Sequence, residues 1–410
     1  MTARSTAPMS SFRPTRRGLL LGAGGFAAWA GLPFPVVAAG RDPRLVVVIL
    51  RGGLDGLAAV PPIGDPSFQE LRGRFGPGLA DQPATLPLDG TFALHPALAR
   101  LHQRFLRKEA TIVHAVASPY RGRSHFDGQD VLESGLGGPA KGDVTGWLNR
   151  LAVALPSNRG VAPRADLVAV SATVPVILRG TAPVVTWMPQ EFAAAPSDTA
   201  MRLLDLYGDR APDLRRALRE GLRIDTMMGV RKDEKRKGTA ARFAEIAEGA
   251  ARIMSEPEGP RLGVISFNGW DTHADEGAGH GRLAETLAAL DGALDTLAAG
   301  LAPIWSQTVV LVCTEFGRTV RVNGTRGTDH GTATVAFLVG GAVKGGRMVA
   351  DWPGLTPERL HEGRDLMPTT DLRAITKGLV RDHFGVGSSV LDREIHPDSG
   401  SARPIDGLIT

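Results

Sequence analysis

Cysteine is nearly absent. The 410-residue chain has one, Cys313, so it can form no internal disulfide and must draw its stability from a buried core. Net charge is nearly absent as well. The 47 Lys+Arg exceed the 43 Asp+Glu only because the first 39 residues carry Arg4, Arg13, Arg16 and Arg17 and no acid. Removing those four arginines leaves 43 against 43, which takes away the field of positive charge that nucleic-acid binding needs to displace counterions. There is no internal repeat and no low-complexity linker, and 43% apolar residues exclude disorder and collagen-like structure. No apolar run is long enough to span a membrane: the run Gly18–Leu32 falls short of the roughly 20 residues that a spanning helix requires.

What is present at the start of the chain reads as an export signal over residues 1–39. Arg16–Arg17 precede the short apolar run, which ends in Pro33, Pro35 and then Val37-Ala38-Ala39. A charged start, an apolar middle and small residues at a cut site make a secretory signal. The paired arginines point to the twin-arginine translocase as a partner during export and to a periplasmic or extracellular location. This route carries folded chains, often around a bound group. Cys313 lies too far downstream for lipid attachment at the cut site, and its setting in an apolar run marks it as a small core residue.

From Gly40 onward, strand and helix patterns alternate. Leu45-Val-Val-Val-Ile-Leu50 is continuously apolar, which predicts a strand covered on both faces, as in a parallel sheet between helices. A helix over Pro96–Lys108 leads to a second strand over Ala110–Ala117. Weaker strands are predicted at Leu167–Ser171, Pro175–Leu178 and Pro183–Trp187, followed by helices over about 197–223 and 239–254. The mixed-sign segment 231–237 between them reads as a solvated face. A strand over Leu262–Phe267 is followed by a helix with leucines at 283, 287, 290, 294, 297 and 301, one apolar face. Strands at Thr308–Thr314 and Ala333–Val339 and a helix near Asp371–His383 complete the pattern. The fold class is α/β: one large, mostly parallel sheet with helices on both faces over residues 40–410, with a helical insertion near 196–255.

Ligands of open α/β sheets bind beyond the carboxyl ends of the strands. The acids, histidines and hydroxyls found there are Asp55, Ser124, His125, Asp127, Asp271, His273 and Glu315, with Asp329 and His330 in the loop entering the strand near 334. Imidazoles with carboxylates suit zinc, manganese or iron, whereas carboxylates alone suit magnesium or calcium. Glycines flank the acid- and histidine-bearing loops: Gly52, Gly53, Gly56, Gly269, Gly317, Gly327 and Gly331. Glycine relieves crowding where segments approach closely, so the loops are expected to gather into a metal site. Ser124 is expected to cap a helix, with a nucleophile or ligand as the sharper alternative. Arg121, Arg123, Arg318 and Arg326 can hold a phosphate or sulfate. His280 either reaches the same site or starts the next helix. His95 orients a turn, His102 and His383 fall on helices, and His361 and His396 lie in polar loops.

The stretches Leu50-Arg-Gly-Gly-Leu-Asp-Gly56, Arg123-Ser-His-Phe-Asp127, Gly269-Trp-Asp-Thr-His273, Thr314-Glu-Phe-Gly-Arg318, Gly327-Thr-Asp-His-Gly331 and Pro368-Thr-Thr-Asp-Leu-Arg373 carry a resemblance. The chain resembles an uncharacterised, twin-arginine-exported bacterial family related to the alkaline phosphatase/sulfatase superfamily. The resemblance implies an alkaline phosphatase-like fold with metal ligands Asp55, Asp271, His273, Glu315 and His330. It makes Ser124 the nucleophile candidate beside Arg123 and Arg318, and implies a divalent cation (Zn, Mn, Mg or Ca) acting on an anionic small-molecule or glycan ester. Phe316 departs from the superfamily, which has a histidine there, and puts a second metal in doubt. The implied activity is metal-dependent hydrolysis of phosphate or sulfate esters. The alternative is a non-catalytic envelope binding or assembly protein that keeps the fold. An esterase built on Ser124 and a histidine base is disfavoured, since no G-x-S-x-G surrounds Ser124.

Overall fold

Strand β1, Arg44–Arg51, is buried at every residue from Arg44 to Leu50, and its alternate side chains enter two different cores. Val46, Val48 and Leu50 join one apolar cluster; Leu45, Val47 and Ile49 join another on the opposite face. The unbroken apolar run therefore has a physical cause: helices cover this strand from both sides. The computed structural model describes residues 41–410 except 80–81, 141, 143, 157–165, 190–202, 205, 208–210 and 229–237. The expected export signal at 1–39, the charged segment 231–237 and part of the expected insertion lie outside the described residues.

A two-stranded hairpin, β2 (Leu86–Pro87) and β3 (Ala93–Leu94), stands apart from the main sheet. The main sheet comprises β1, β4 (Ala110–Ala117), β5 (Leu167–Val170), β6 (Val184–Trp187), β7 (Leu262–Asn268), β8 (Thr308–Cys313), β9 (Thr334–Val339), β10 (Arg347–Val349) and β11 (Thr370–Asp371). Its order is β10-β4-β9-β8-β1-β7-β5-β6, with β11 paired to β4. All pairings are parallel except those of β9 with β4 and β8. Because β9 runs the opposite way, the loop that enters it lies at the edge where its neighbours end. Residues before β9 and residues after β1, β4, β7 and β8 thus share one edge.

Helices Ala99–Leu106, Thr239–Met254 and Arg282–Gly300 contribute to the first cluster, and Trp147–Ala154 and Leu372–Phe384 to the second. Every leucine of the 283–301 stripe is buried. At about 1.5–3 kcal/mol for each such side chain, that face is what holds its helix to the sheet. Thr239–Met254 packs in the same layer, where Phe243 stacks on Phe267 of β7 with ring centroids 4.0 Å apart. Cys313 is buried, and burial pushes its thiol up to about 12, consistent with a core residue.

The segment Pro175–Leu178 is a single 3-10 turn at Val176–Leu178 rather than the expected strand. Side chains take the backbone groups that a strand would give to a neighbour. The Glu133 carboxylate accepts from Ile177 N at 3.0 Å, and the Asn149 amide donates to the Leu178 carbonyl at 2.9 Å. Its buried polar groups satisfied in this way, the turn needs no ladder. His396 is also unlike its expected polar loop: it is buried, its Nε2 lies 2.8 Å from the Thr376 hydroxyl, and burial pushes it down to about 3.

Candidate metal centre

Three imidazoles meet at the shared edge. His125 is the first residue of the helix His125–Ser134 after β4, His273 follows β7, and His330 precedes β9. Two close backbone approaches bring their loops together. A Cβ on Gly52, after β1, would lie 2.5 Å from Asp271 N, and one on Gly327 would lie 2.3 Å from the His273 carbonyl carbon. Only glycine fits at such separations. An antiparallel bridge between Arg318 and His330 ties the loop after β8 to the loop before β9.

Each ring is anchored through Nδ1 to an oxygen. His125 Nδ1 donates to Glu315 Oε1 at 2.8 Å, His330 Nδ1 to the Arg123 carbonyl at 2.7 Å, and His273 Nδ1 to Asp329 Oδ1 at 3.2 Å. These acceptors take the Nδ1 proton of each ring, so in the neutral rings the Nε2 atoms carry the lone pairs. They converge on Asp271. His273 Nε2 and His330 Nε2 lie 3.1 and 3.4 Å from Asp271 Oδ1, and His125 Nε2 lies 3.5 Å from Oδ2. His273 Nε2 and His330 Nε2 are 2.9 Å apart. Ligand atoms of His125, Asp271 and His330 all lie within 4.8 Å of one another. Buried His125 Nε2 has no hydrogen-bond partner among the described residues. Lone pairs aimed at a carboxylate repel unless a cation or proton stands between them, and this nitrogen and oxygen set suits a borderline divalent ion such as zinc or manganese.

Behind His125 the support is continuous. Glu315, wholly buried, also accepts from Gly52 N at 2.8 Å and from Gln129 Nε2 at 3.1 Å, while its second oxygen accepts from Thr314 Oγ1 at 2.9 Å. Arg51 donates to Gln129 Oε1 at 2.7 Å and pairs with Glu133 at 2.7 Å. Burial opposes the Glu315 charge, but these hydrogen bonds, led by His125, hold it below the usual carboxylate range. The bond to Glu315 in turn raises His125, and burial lowers His330. Burial also works against the Asp271 charge, yet the Arg318 hydrogen bond and charge outweigh it and leave Asp271 low. Asp329 is held low chiefly by its hydrogen bond from Asn323. Phe316, buried, packs its ring 4.9 Å from His125 and 5.0 Å from His330, a dry floor under both.

Of the residues expected from the sequence, Asp271, His273 and His330 gather at this point, and Glu315 stands one step back as the partner of His125. Asp55 does not join them. Its Oδ1 accepts from Leu57 N and Ala58 N at 3.1 and 3.2 Å, capping the short helix Gly56–Ala59, and both its oxygens bind the buried Arg72 guanidinium at 2.5 and 2.9 Å. Arg318 is 1% exposed and spends its donors on the carbonyls of Gly53, Gly52, Thr328 and Trp270 and on Asp271, so it clasps loops and cannot reach a free anion. Arg123, at φ 85°, pairs with Glu362 at 2.6 Å and Asp365 at 3.1 Å while its carbonyl holds His330. Ser124 is the N-cap of the helix His125–Ser134, its hydroxyl accepting from Asp127 N at 3.4 Å. His280 is exposed ahead of the helix Arg282–Gly300. His125 was among the strand-end residues but outside the expected ligand set; its signal was its place one residue beyond a serine cap, where a helix begins at the sheet edge.

The family model described as "Protein of unknown function (DUF1501)" matches residues 42–395. The chain belongs to this family. No curated protein matches the DUF1501 chain in sequence. Solved structures similar to it include the PsFucS1 sulfatase from Pseudoalteromonas sp., at 12% identity and a TM-score of 0.42, covering 97% of this chain and 76% of that one. The phosphonate monoester hydrolase of Agrobacterium radiobacter has 11% identity and a TM-score of 0.36, with 84% and 74% covered. The alkaline phosphatase from the Antarctic bacterium TAB5 has 12% identity and a TM-score of 0.35, with 75% and 95% covered.

Proposed function

We propose that this DUF1501 protein is a metal-dependent hydrolase of phosphate or sulfate esters that works in the periplasm, exported by the twin-arginine route on the leader read at residues 1–39. The observation that carries the reading is the convergence of anchored imidazole nitrogens on Asp271, with buried His125 Nε2 lacking a hydrogen-bond partner among the described residues. His125, Asp271 and His330 would hold the ion, with His273 against the latter two. A divalent cation in that place supplies a Lewis acid for an ester oxygen and lowers the pKa of bound water.

The chain's own groups prepare that chemistry. Glu315 and the Arg123 carbonyl fix the His125 and His330 rings with Nε2 free, the outer-shell arrangement that raises ligand basicity. Arg318 orients Asp271 through a 2.5 Å bond and keeps it ionised. Phe316 excludes water from beneath the rings. Arg121, in the loop before the His125 helix, donates to the carbonyls of Ser118 and Tyr120. Among the described residues no helix is long and apolar enough to cross a membrane.

Purified protein lacking residues 1–39 is to be assayed on aryl phosphates and aryl sulfates with zinc, manganese, magnesium and calcium in turn. Turnover that disappears in Asp271→Ala supports hydrolysis; none above that control with any metal sinks it. A second reading, a non-catalytic envelope protein retaining the fold, is favoured by Ser124, Arg123 and Arg318 all being engaged within the protein. A stable protein that carries no metal after purification and takes none up would select it.

A further inference from the structure

The same sheet edge carries a second pair of acids, set deeper. Asp55 and Glu276 are 1% and 3% exposed, and Asp55's charge follows burial as a cause pushing Glu276 up to about 8. Thr328, ahead of β9, is tied twice to the loop after β7, donating its hydroxyl to Glu276 Oε2 at 2.8 Å and its amide to the Thr272 carbonyl at 3.1 Å. Glu276 Oε1 and Thr272 Oγ1, both buried, have no hydrogen-bond partner among the described residues. Buried carboxyl oxygens are the donors that a hard cation takes.

A cation of another kind is already there. Arg72 is 3% exposed, and its Nη1 and Nη2 meet the two Asp55 oxygens at 2.5 and 2.9 Å in a planar, two-pronged contact. Nη2 also donates to the Thr319 carbonyl at 3.1 Å. With Leu57 N and Ala58 N on Oδ1, four donor contacts converge on the Asp55 carboxylate. A guanidinium cannot shed its proton in a protein. A metal entering here would strand a buried positive charge beside its own, which Coulomb's law makes severely unfavourable in a low-dielectric interior.

We propose that the protein holds one metal ion, at His125, Asp271 and His330, and that Arg72 is the permanent cation that closes the Asp55–Glu276 pair to a second. The inference rests on the metal reading above and departs from the use of Asp55 as a ligand that the sequence implies. The charge at Asp55 is balanced whatever the metal supply, so only the imidazole centre responds to chelation.

Metal count by native mass spectrometry, with zinc and separately with manganese, tests this without any substrate. The wild-type protein is expected to take up one ion per chain and the His125→Ala/His330→Ala double variant none. Arg72→Ala, if circular dichroism shows it folded, is expected to gain a second ion. Two ions in the wild type, one retained in the double variant, or a folded Arg72→Ala that still takes one would each overturn the proposal. No ion in the wild type overturns the imidazole centre itself, and this inference with it. Should Arg72→Ala not fold, the wild type and the double variant decide.

Discussion

Asp271 and Asp55 follow neighbouring strands, β7 and β1, at one edge of one sheet, yet their surroundings oppose each other. Asp271 is 45% exposed in its side chain and faces the Nε2 atoms of three imidazoles. Asp55 is buried and saturated by two amides and a guanidinium. An acid at a strand end is thus not in itself a ligand. What decides is whether the protein has already supplied its donors: a saturated carboxylate is a structural element, and an undersupplied one beside oriented nitrogens is a place for a cation.

The sharpest way to break this contrast is to remove the charge that satisfies the closed corner. Arg72→Ala leaves the buried Asp55 carboxyl without its partner, and is expected to cost about 3–5 kcal/mol of unfolding free energy. Asp271→Ala removes a half-exposed group and leaves Arg318 with four carbonyl acceptors, so a much smaller loss is expected. Denaturant unfolding of both variants against the wild type measures the difference. Equal losses would mean that the two corners do not differ in kind.

The open corner is tested through its support. Glu315→Gln keeps the size of the side chain but replaces the charged acceptor of His125 Nδ1, and is expected to weaken zinc binding roughly 10- to 100-fold. Asp55→Asn, at the closed corner, should lower stability and leave zinc affinity within twofold of the wild type. Competition with a chromogenic chelator reads both. An Asp55→Asn protein that loses zinc as steeply as Glu315→Gln would return Asp55 to the ligand set.

The contrast also bears on how much the sequence could show. The strands and helices were legible because burial on both faces leaves continuous apolar runs, as in Leu45–Leu50, and the 283–301 stripe repeats at helical spacing. The strand-end loops were legible as a group, and glycines such as Gly52 and Gly327 marked real close approaches. The assignment of roles within the group was not. Asp55 and Arg72 are 17 residues apart, and nothing in that spacing shows which acid the arginine takes. His125 is tied to Glu315 across 190 positions, a pairing that exists only once β4 and β8 lie in the same sheet. His330 precedes a strand instead of following one, and reaches the edge because β9 runs antiparallel.

A smaller effect separates the corners by pH. Burial and then Asp55 push Glu276 up to about 8, well above the roughly 4.3 of an unfolded chain. Between those values the unfolded chain binds fewer protons at this group than the folded one. Stability from Glu276 is therefore fully present below about pH 4.3 and is lost as pH rises through about 8. Asp271, held low, acts in the opposite sense and loses its contribution only in acid. Unfolding free energy measured from mildly acidic to mildly alkaline pH should fall more steeply in the wild type than in Glu276→Gln. Parallel slopes would place Glu276 outside the closed corner's charge balance.

The smallest change falls on Ser124, where structural and chemical roles give different signatures. As a helix cap with a 3.4 Å bond, its loss in Ser124→Ala should cost about 0.5–1 kcal/mol, near the low end for N-caps. Zinc affinity should be unchanged, since the hydroxyl is bonded to Asp127 N and the His125 ring is held by Glu315. If an aryl ester is hydrolysed by the wild type, Ser124→Ala should keep most of that rate where water is the attacking group. A variant that binds its ion normally, unfolds within 1 kcal/mol of the wild type and yet turns over nothing would show that the hydroxyl leaves its cap to attack the ester.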